Sequence, residues 1–292
     1  ILLECDGRDW SRFPEQAKHA ADAGLDGILV TDWRPISDQA GEPLFALPED
    51  PAQRDALRAA VEQCHTLGAK VVLSIGIEPA SQLRPAYEQL RDFVCEDRWG
   101  VLETIAGWNP PATHVQSLAG AERRVVLNPG VPAYRAILAE QMAALASIGA
   151  DGIHVARFFG RTLDFNPKTQ TTPDRAAWEG GLKTLAAMRE AGRRHNPGFV
   201  VLTDDSFDGL GACVDACGGG PMEHGPTETA YPKWRKMIRL SDPAKVEAID
   251  GTDLTCATVV LAPKSGFEAV NEPEWQTLIQ RLRAGMNTHS SS

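Results

Sequence analysis

Apolar and polar positions along the chain follow a repeating order, in which a short apolar run precedes a longer segment of helical periodicity. Short runs rich in Val, Ile and Leu are typical of buried parallel strands. Longer segments with apolar residues every three or four positions are typical of helices that cover a sheet. Eight strand-like runs are present, at 2–6, 27–32, 70–75, 151–157, 199–204, 212–216, 233–239 and 255–262.

Helical patterns follow most of these runs, at 14–23, 51–67, 132–148, 174–195 and 272–282. The second has clear boundary signals, because Asp50 can cap its first turn, Pro51 occupies its first position and Gly68 closes it. Strands that alternate with helices indicate parallel βαβ units. The pattern therefore predicts an α/β fold, a single (β/α)8 TIM barrel. An open doubly wound sheet is the alternative, but no Gly-x-Gly-x-x-Gly motif follows an early strand.

The repeat is interrupted after the third strand, where residues 76–127 contain Trp99, Trp108, His114 and the pair Pro110-Pro111. Insertions of this length in a compact domain usually carry local structure or function. We therefore predict one barrel domain over 1–286, with 76–127 as an insertion loop that shapes the substrate pocket. The serine-rich residues 287–292 are predicted to be a disordered tail.

The fourth predicted strand carries the central expectation. Side chains alternate along a strand, so Ile153 and Val155 share one face while His154 and Ala156 share the other. The apolar pair should pack under helices. His154 and Ala156 should then face the central cavity, with Arg157 at the carboxyl end, where barrel enzymes keep their chemistry.

Composition and charge narrow the class of protein. The 292 residues are 43% hydrophobic and carry a formal net charge of −10, without clusters of Lys and Arg. Such a chain can bury a sizeable core and is a poor candidate for binding nucleic acid or an anionic membrane. No signal peptide is visible, which slightly favours a soluble, cytoplasmic protein, although an opening directly in an apolar strand is compatible with a trimmed N-terminus. Location and oligomeric state stay open.

Polar residues lie at the predicted strand ends, where the loops of a barrel build its site. They are Asp6, Asp32 with Trp33 and Arg34, His154 with Arg157, Asp204 with Asp205, Asp215, Arg235 with Arg239, and Lys264. Carboxyl groups beside tryptophans suit a carbohydrate, because sugar rings stack on aromatic faces while carboxylates and arginines bind hydroxyl groups. Glycosyl transfer to water also needs two carboxyl groups in different protonation states. Each residue also has a plainer interpretation as a strand-end cap or ion pair.

Other chemistries find weaker support. The segment from Asp204 to Gly209 imitates the start of a calcium loop, but it lacks the preceding helix and the Glu at the twelfth position. No Gly-x-Ser-x-Gly elbow is present, the six cysteines have no zinc-ribbon spacing, and none has an obviously cationic setting. No organic cofactor and no metal are predicted. Lys264, just past the eighth strand, leaves a lyase or aldolase with a Schiff-base lysine as a less favoured alternative.

The chain resembles a group of bacterial glycoside hydrolase barrels related to the α-amylase-like and endo-α-N-acetylgalactosaminidase-like retaining enzymes. The resemblance extends from about Gly24 to Asp215. The matching segments are Gly27-Ile-Leu-Val-Thr-Asp-Trp33, Cys64-His-Thr-Leu-Gly-Ala-Lys-Val-Val72, Leu127-Asn-Pro-Gly-Val-Pro-Ala-Tyr-Arg135, Gly149-Ala-Asp-Gly-Ile-His154 and Pro197-Gly-Phe-Val-Val-Leu-Thr-Asp204.

The resemblance implies a retaining, two-carboxylate mechanism on an α-linked carbohydrate. In such enzymes the fourth strand ends in an aspartate nucleophile and the fifth in an acid/base, usually Glu. Here Ala156 and Asp204 occupy these positions. Three explanations compete: an inactivated variant, a barrel that binds sugar without catalysis, or a different pair such as Asp6 or Asp32 with Asp204. The predicted substrate contacts are Asp6, Asp32, Trp33, Arg34, Trp108, His154, Arg157, Asp205 and Arg235.

Overall fold

Eight parallel strands form the central sheet of the protein. The computed structural model describes residues 1–34, 47–48, 50–82, 87–105, 124–156, 163–204, 209–217, 237–243 and 258–287. The strands of the sheet are β1 (Leu2–Asp6), β2 (Gly27–Thr31), β3 (Lys70–Ile75), β7 (Gly152–Val155), β8 (Val200–Thr203), β9 (Ala216–Cys217), β10 (Met237–Leu240) and β11 (Thr258–Leu261). Their spatial order is β10-β11-β1-β2-β3-β7-β8-β9. The sheet is a nearly closed barrel, and the predicted (β/α)8 TIM-barrel fold is confirmed.

Helices connect and cover the strands, as the apolar periodicity predicts. They are α1 (Phe13–Asp22), α2 (Pro51–Thr66), α3 (Tyr87–Leu90), α4 (Pro132–Ser147), α5 (Pro173–Arg193), α6 (Leu210–Cys213) and α7 (Pro273–Asn287). The Asp50 carboxylate accepts the backbone N–H of Ala52 at 3.0 Å and caps α2 as expected. Gly68 has a φ of 78° directly after α2, a left-handed conformation that glycine adopts without strain.

Two of the eight predicted strands differ from the observed ones. Residues 212–216 do not form one strand, because Leu210–Cys213 is the short helix α6 and only Ala216–Cys217 joins the sheet, as β9. Gly209, with a φ of 92°, starts that helix, and Leu210 anchors it in the core. The seventh strand is Met237–Leu240, later than the predicted 233–239, of which 233–236 lies outside the described residues.

The barrel has an inner and an outer apolar layer, which alternate along each strand. The inner cluster consists of Leu2, Leu29, Val72, Leu202, Ala216, Met237 and Val260. The outer cluster packs the opposite residues of the same strands, among them Leu3, Ile28 and Ile153, against the helices. Strand parity therefore places His154 of β7 on the inner face, as predicted from the alternation, and places Asp6 of β1 there as well.

The insertion after β3 carries a second, small sheet. It is antiparallel, with β4 (Pro79–Ser81) and β5 (Thr104–Ile105) on either side of β6 (Arg124–Val126). Tyr134 of α4 fixes this layer to the barrel, since its hydroxyl donates to the Ile77 carbonyl at 2.6 Å and its ring stacks on Phe93 at 5.4 Å. Residues 106–123 of the insertion, including Trp108, lie outside the described residues.

Carboxylates join neighbouring strands at the amino end of the barrel. Asp151, just before β7, accepts the Val71 N–H of β3 at 2.9 Å and lies 2.8 Å from His65 Nε2. Asp215, just before β9, accepts the Val201 N–H of β8 at 2.9 Å and pairs with an arginine of α5 at 2.7 Å. Asp215 therefore belongs to the end of the barrel opposite the strand tips, and its placement among strand-end site residues was wrong.

Candidate functional site

The site is organised around His154, which is 2% exposed on the inner face of β7. Its register neighbours are Ser74 on β3 and Leu202 on β8. The Ser74 hydroxyl lies 3.1 Å from His154 Nδ1, and His154 Nε2 lies 3.1 Å from Asp204 Oδ1. A buried histidine thus connects a hydroxyl of one neighbouring strand to the carboxylate that follows the other.

The contact between His154 and Asp204 is close but poorly aligned. Neither His154 Nε2 nor Asp204 Oδ1 makes a well-directed hydrogen bond within the described part of the chain. A neutral imidazole that accepts from Ser74 at Nδ1 carries its proton on Nε2, the atom that faces the carboxylate. Buried polar atoms without a partner are uncommon in native proteins, and a catalytic role, a water or an ion is the usual explanation for them. The pair is therefore the strongest candidate for a functional site in the described part of the chain.

Ala156 continues β7 beside Asp204. The last register pair between the two strands is Val155 with Thr203, so Ala156 and Asp204 are the next residues on each strand. The backbone N–H of Ala156 donates to the Ile75 carbonyl at 2.8 Å, which extends the strand pairing by one position. By alternation both side chains belong to the inner face, above His154. A methyl group thus occupies the position beside the carboxylate.

Asp6 and Asp32 lie at the tips of the neighbouring strands β1 and β2, and both are exposed. The guanidinium of Arg8 donates from Nε to both Asp6 oxygens, at 3.0 and 2.7 Å. The hydrogen bond from the Arg8 side chain lowers the pKa of Asp6 below the ordinary aspartate value. Asp32 has a φ of 49°, a left-handed conformation that is uncommon outside glycine and often marks functional sites.

Trp33 is placed differently from the expected sugar-stacking position. It is 2% exposed and belongs to the outer apolar cluster, and its indole N–H donates to the Ser74 carbonyl at 2.9 Å. The left-handed Asp32 interrupts the alternation of β2, which turns Trp33 away from the mouth. Trp33 therefore supports the strand that carries Ser74. Arg34 is half-buried just beyond it.

The other predicted site residues divide into two groups. Lys264 is exposed, so it lacks the apolar environment that a Schiff-base lysine needs, and the lyase or aldolase interpretation was wrong in this respect. The remaining predicted contacts lie outside the described residues; they are Trp108, Arg157, Asp205 and Arg235.

Cysteine and metal chemistry receive no support from the described residues. Cys5, Cys64, Cys95 and Cys217 are buried free thiols, and Cys213 is half-buried. Burial raises the pKa of Cys64 to about 12, which disfavours the reactive thiolate. Within the described ranges, no group of three or more His, Cys, Asp or Glu side chains is arranged to hold a metal ion. No described helix is long and apolar enough to cross a membrane.

Two residues of the site were missed by sequence reasoning. Ser74 and Glu4 both lie on the inner face by strand parity, Ser74 beside His154 and Glu4 one inward position below Asp6. The same alternation that identified His154 could have found them.

The chain is similar in structure to several glycoside hydrolases with barrel folds. It superposes on the α-N-acetylgalactosaminidase NagBb from Bifidobacterium bifidum, a quadruple mutant, with a TM-score of 0.64 and 11% identity, covering 95% of this chain and 46% of that one. A variant of the GH36 α-galactosidase AgaA from Geobacillus stearothermophilus, in complex with 1-deoxygalactonojirimycin, gives a TM-score of 0.59 and 12% identity, covering 98% of this chain and 41% of that one. A GH13_31 enzyme gives a TM-score of 0.55 and 11% identity, covering 89% of this chain and 65% of that one.

These similarities establish the shared barrel fold and no more, because the sequences are so different. The chain spans less than half the length of the NagBb and AgaA structures. The sequence matches no protein-family model and no curated protein. The fold that the sequence resemblance implied, a (β/α)8 barrel, is confirmed.

Proposed function

We propose that the chain is a glycoside hydrolase-like barrel that takes an α-linked carbohydrate at the carboxyl ends of its strands. The observation that carries the proposal is the placement of Asp204 and Ala156 on the adjacent strands β8 and β7, directly above the buried His154. The barrel neighbours named as an α-galactosidase and an α-N-acetylgalactosaminidase support the choice of substrate class.

In this proposal Asp204 is the acid/base and Ala156 marks the nucleophile position. Adjacent strands lie about 4.8 Å apart. Carboxyl groups at these two positions would therefore come close to the about 5–5.5 Å that is typical of retaining glycosidases, and well inside the about 6.5–9.5 Å of inverting ones. The methyl group of Ala156 cannot attack an anomeric carbon, so double displacement cannot run on this residue. We expect the protein to hydrolyse glycosides slowly or not at all.

The other strand tips supply contacts for hydroxyl groups in this proposal. Arg8 keeps Asp6 ionised, so Asp6 can accept hydrogen bonds from a sugar over a wide pH range. His154 Nε2 lies beside Asp204 and faces the same space, so both can contact one sugar unit. Asp32, Arg34, Arg157, Trp108, Asp205 and Arg235 remain proposed contacts.

The variant Ala156→Asp tests the proposal. We expect it to gain hydrolysis of p-nitrophenyl α-galactoside or p-nitrophenyl α-N-acetylgalactosaminide, with retention of configuration at the anomeric carbon by NMR. The double variant Ala156→Asp, Asp204→Asn is the matched control, and it should lose the gain because the acid/base is gone. A gain that survives the removal of Asp204 would contradict the assigned roles.

A second candidate function is a barrel that binds sugar without catalysis, and the methyl group of Ala156 is the observation that favours it. In that case Ala156→Asp stays inactive, while calorimetry still detects sugar binding that Asp204→Asn weakens. Full hydrolytic activity of the unchanged protein would instead point to another pair of carboxylates. The variant Asp6→Asn would then identify whether Asp6 is the partner of Asp204.

A further inference from the structure

An exposed tryptophan lies on the insertion that follows β3. Trp99 is 72% exposed, and the guanidinium carbon of Arg98 lies 3.9 Å from the centre of its ring. The cation therefore covers one face of the indole, and the other face is open. Neither residue belongs to the barrel mouth described above.

The turn that carries Trp99 is firmly held. The Asp97 carboxylate accepts the backbone N–H groups of Trp99 at 2.8 Å and Val101 at 2.9 Å. The Asp97 N–H donates back to the Val101 carbonyl at 2.9 Å, and Gly100 completes the turn with a φ of 79°. The backbone thus fixes the indole in an exposed position, at an entropic cost that the local hydrogen bonds offset.

A second segment extends the surface around Trp99. Phe165 donates its backbone N–H to the Glu96 carbonyl at 2.9 Å, and the buried Asp164 accepts the Glu96 N–H at 2.9 Å. Leu163 and Phe165 flank Asp164 and are both exposed. The four exposed residues of these two joined segments, Trp99, Val101, Leu163 and Phe165, are called the Trp99 platform. Its two segments follow β3 and β7, the same strands that carry Ser74 and His154.

We infer that the Trp99 platform binds a sugar unit of the substrate that lies outside the barrel mouth, so that the protein prefers oligosaccharides to single sugars. The inference rests on the proposed function. A flat indole face matches the apolar C–H face of a pyranose, and the adjacent guanidinium supplies donors for its hydroxyl oxygens. Because the platform belongs to the segments that leave the carboxyl ends of β3 and β7, a chain held in the mouth can extend toward it.

The test compares long and short sugars by calorimetry on the unchanged protein and on Trp99→Ala. The long probes are stachyose and maltotetraose, and the short ones are p-nitrophenyl α-galactoside and p-nitrophenyl α-glucoside. Loss of one aromatic stacking contact should weaken binding of the long probe about 10-fold, while binding of the short probe stays the same. Trp99→Phe should recover most of the loss.

The matched control is Trp178→Ala, which removes a tryptophan that is 39% exposed on α5 and should leave all affinities unchanged. Equal stachyose or maltotetraose affinity for the unchanged protein and Trp99→Ala overturns the inference but leaves the proposed function intact. A protein that binds none of the four probes overturns both. A shift in molecular mass by light scattering for Trp99→Ala, without a change in sugar binding, overturns the inference in favour of contact with a second copy of the chain.

Discussion

The contact between Gly130 and Gly180 makes a quantitative prediction about the fold. Gly180 lies in α5, where the helix crosses the turn that leads into α4, and a Cβ atom added there would lie 2.2 Å from the Cα of Gly130. The nearest atoms all belong to backbone, so no side chain can move aside. On the same turn, the Gly130 N–H donates to Asn128 Oδ1 at 2.7 Å, which fixes the turn in place.

The variant Gly180→Ala should be clearly less stable. An ordinary carbon contact requires about 3.4 Å or more, so the helix and the turn must separate by more than about 1 Å. Overpacking of this kind costs about 1–3 kcal/mol, and the contact with backbone places it at the upper end. Alanine gains about 1 kcal/mol of helix propensity over glycine, which offsets part of the cost. We expect a net loss of about 1–2 kcal/mol.

Thermal and urea unfolding measure this loss. For a chain of this size each kcal/mol lowers Tm by about 2–4 °C. Gly198→Ala is the control, because the nearest atom to its added Cβ lies 3.4 Å away, and we expect a change within about 0.5 kcal/mol. If Gly180→Ala is as stable as the unchanged protein, or more so, the close approach of α5 to the turn is refuted.

Three further predictions concern single groups. In Arg8→Gln the pKa of Asp6 should rise toward the ordinary aspartate value, which NMR of the carboxyl carbon measures. In the unchanged protein the lowered pKa stabilises the fold only while Asp6 is ionised. This stabilisation is therefore lost as the pH falls through the pKa of Asp6 in the folded state. Iodoacetamide should leave Cys64 and Cys95 unmodified in the native protein and modify them in guanidinium, because burial raises the pKa of both thiols; mass spectrometry that finds them alkylated in the native state contradicts their burial. Asp151→Ala should lower the unfolding free energy by about 1–3 kcal/mol, because it leaves a backbone N–H of β3 without its acceptor, and equal stability in urea would rule that contact out.

The barrel strands were predictable where the hydrophobic pattern is continuous and its turns are marked. The run that contains His154 has both features. Gly149 closes the preceding helix, and the apolar Ile153 and Val155 alternate with residues that face the barrel interior. The same logic placed Asp204 at the end of the following strand. In both cases burial on two sides fixes the register, since a slip of one residue would expose the apolar face.

The failures have local physical causes. Residues 212–216 are too short a run to separate a strand from a single helical turn by periodicity, and the left-handed Gly209 directly precedes the turn that forms. Trp33 was assigned to the mouth because it lies at the end of β2 beside Asp32, but it is buried in the outer cluster after the left-handed Asp32, whose φ is 49°. Ser74 became visible as a partner of His154 only when the register of β3 and β7 was known.

Trp33 and Trp99 show that the sequence around a tryptophan does not predict whether its side chain is exposed. Both are tryptophans near strand ends or insertions, and the pattern of neighbouring residues made Trp33 the more attractive sugar contact. Burial decides otherwise: Trp33 donates to a backbone carbonyl inside the core, whereas Trp99 is held out on a turn. The hydrogen bond of the buried Trp33 joins residues that are 41 positions apart, so it has no local signature in the sequence.

The most direct test of the account is chemical rescue of the unchanged protein by azide. If Ala156 occupies the nucleophile position, azide can enter the space above the methyl group and attack the anomeric carbon of an aryl α-glycoside. The carbon–oxygen bond to the phenolate then breaks, and the product is a β-glycosyl azide. We predict an azide-dependent release of p-nitrophenolate with this product. Sugar hydrolysis that is unaffected by azide, or no release at any azide concentration, would contradict the assignment of this site.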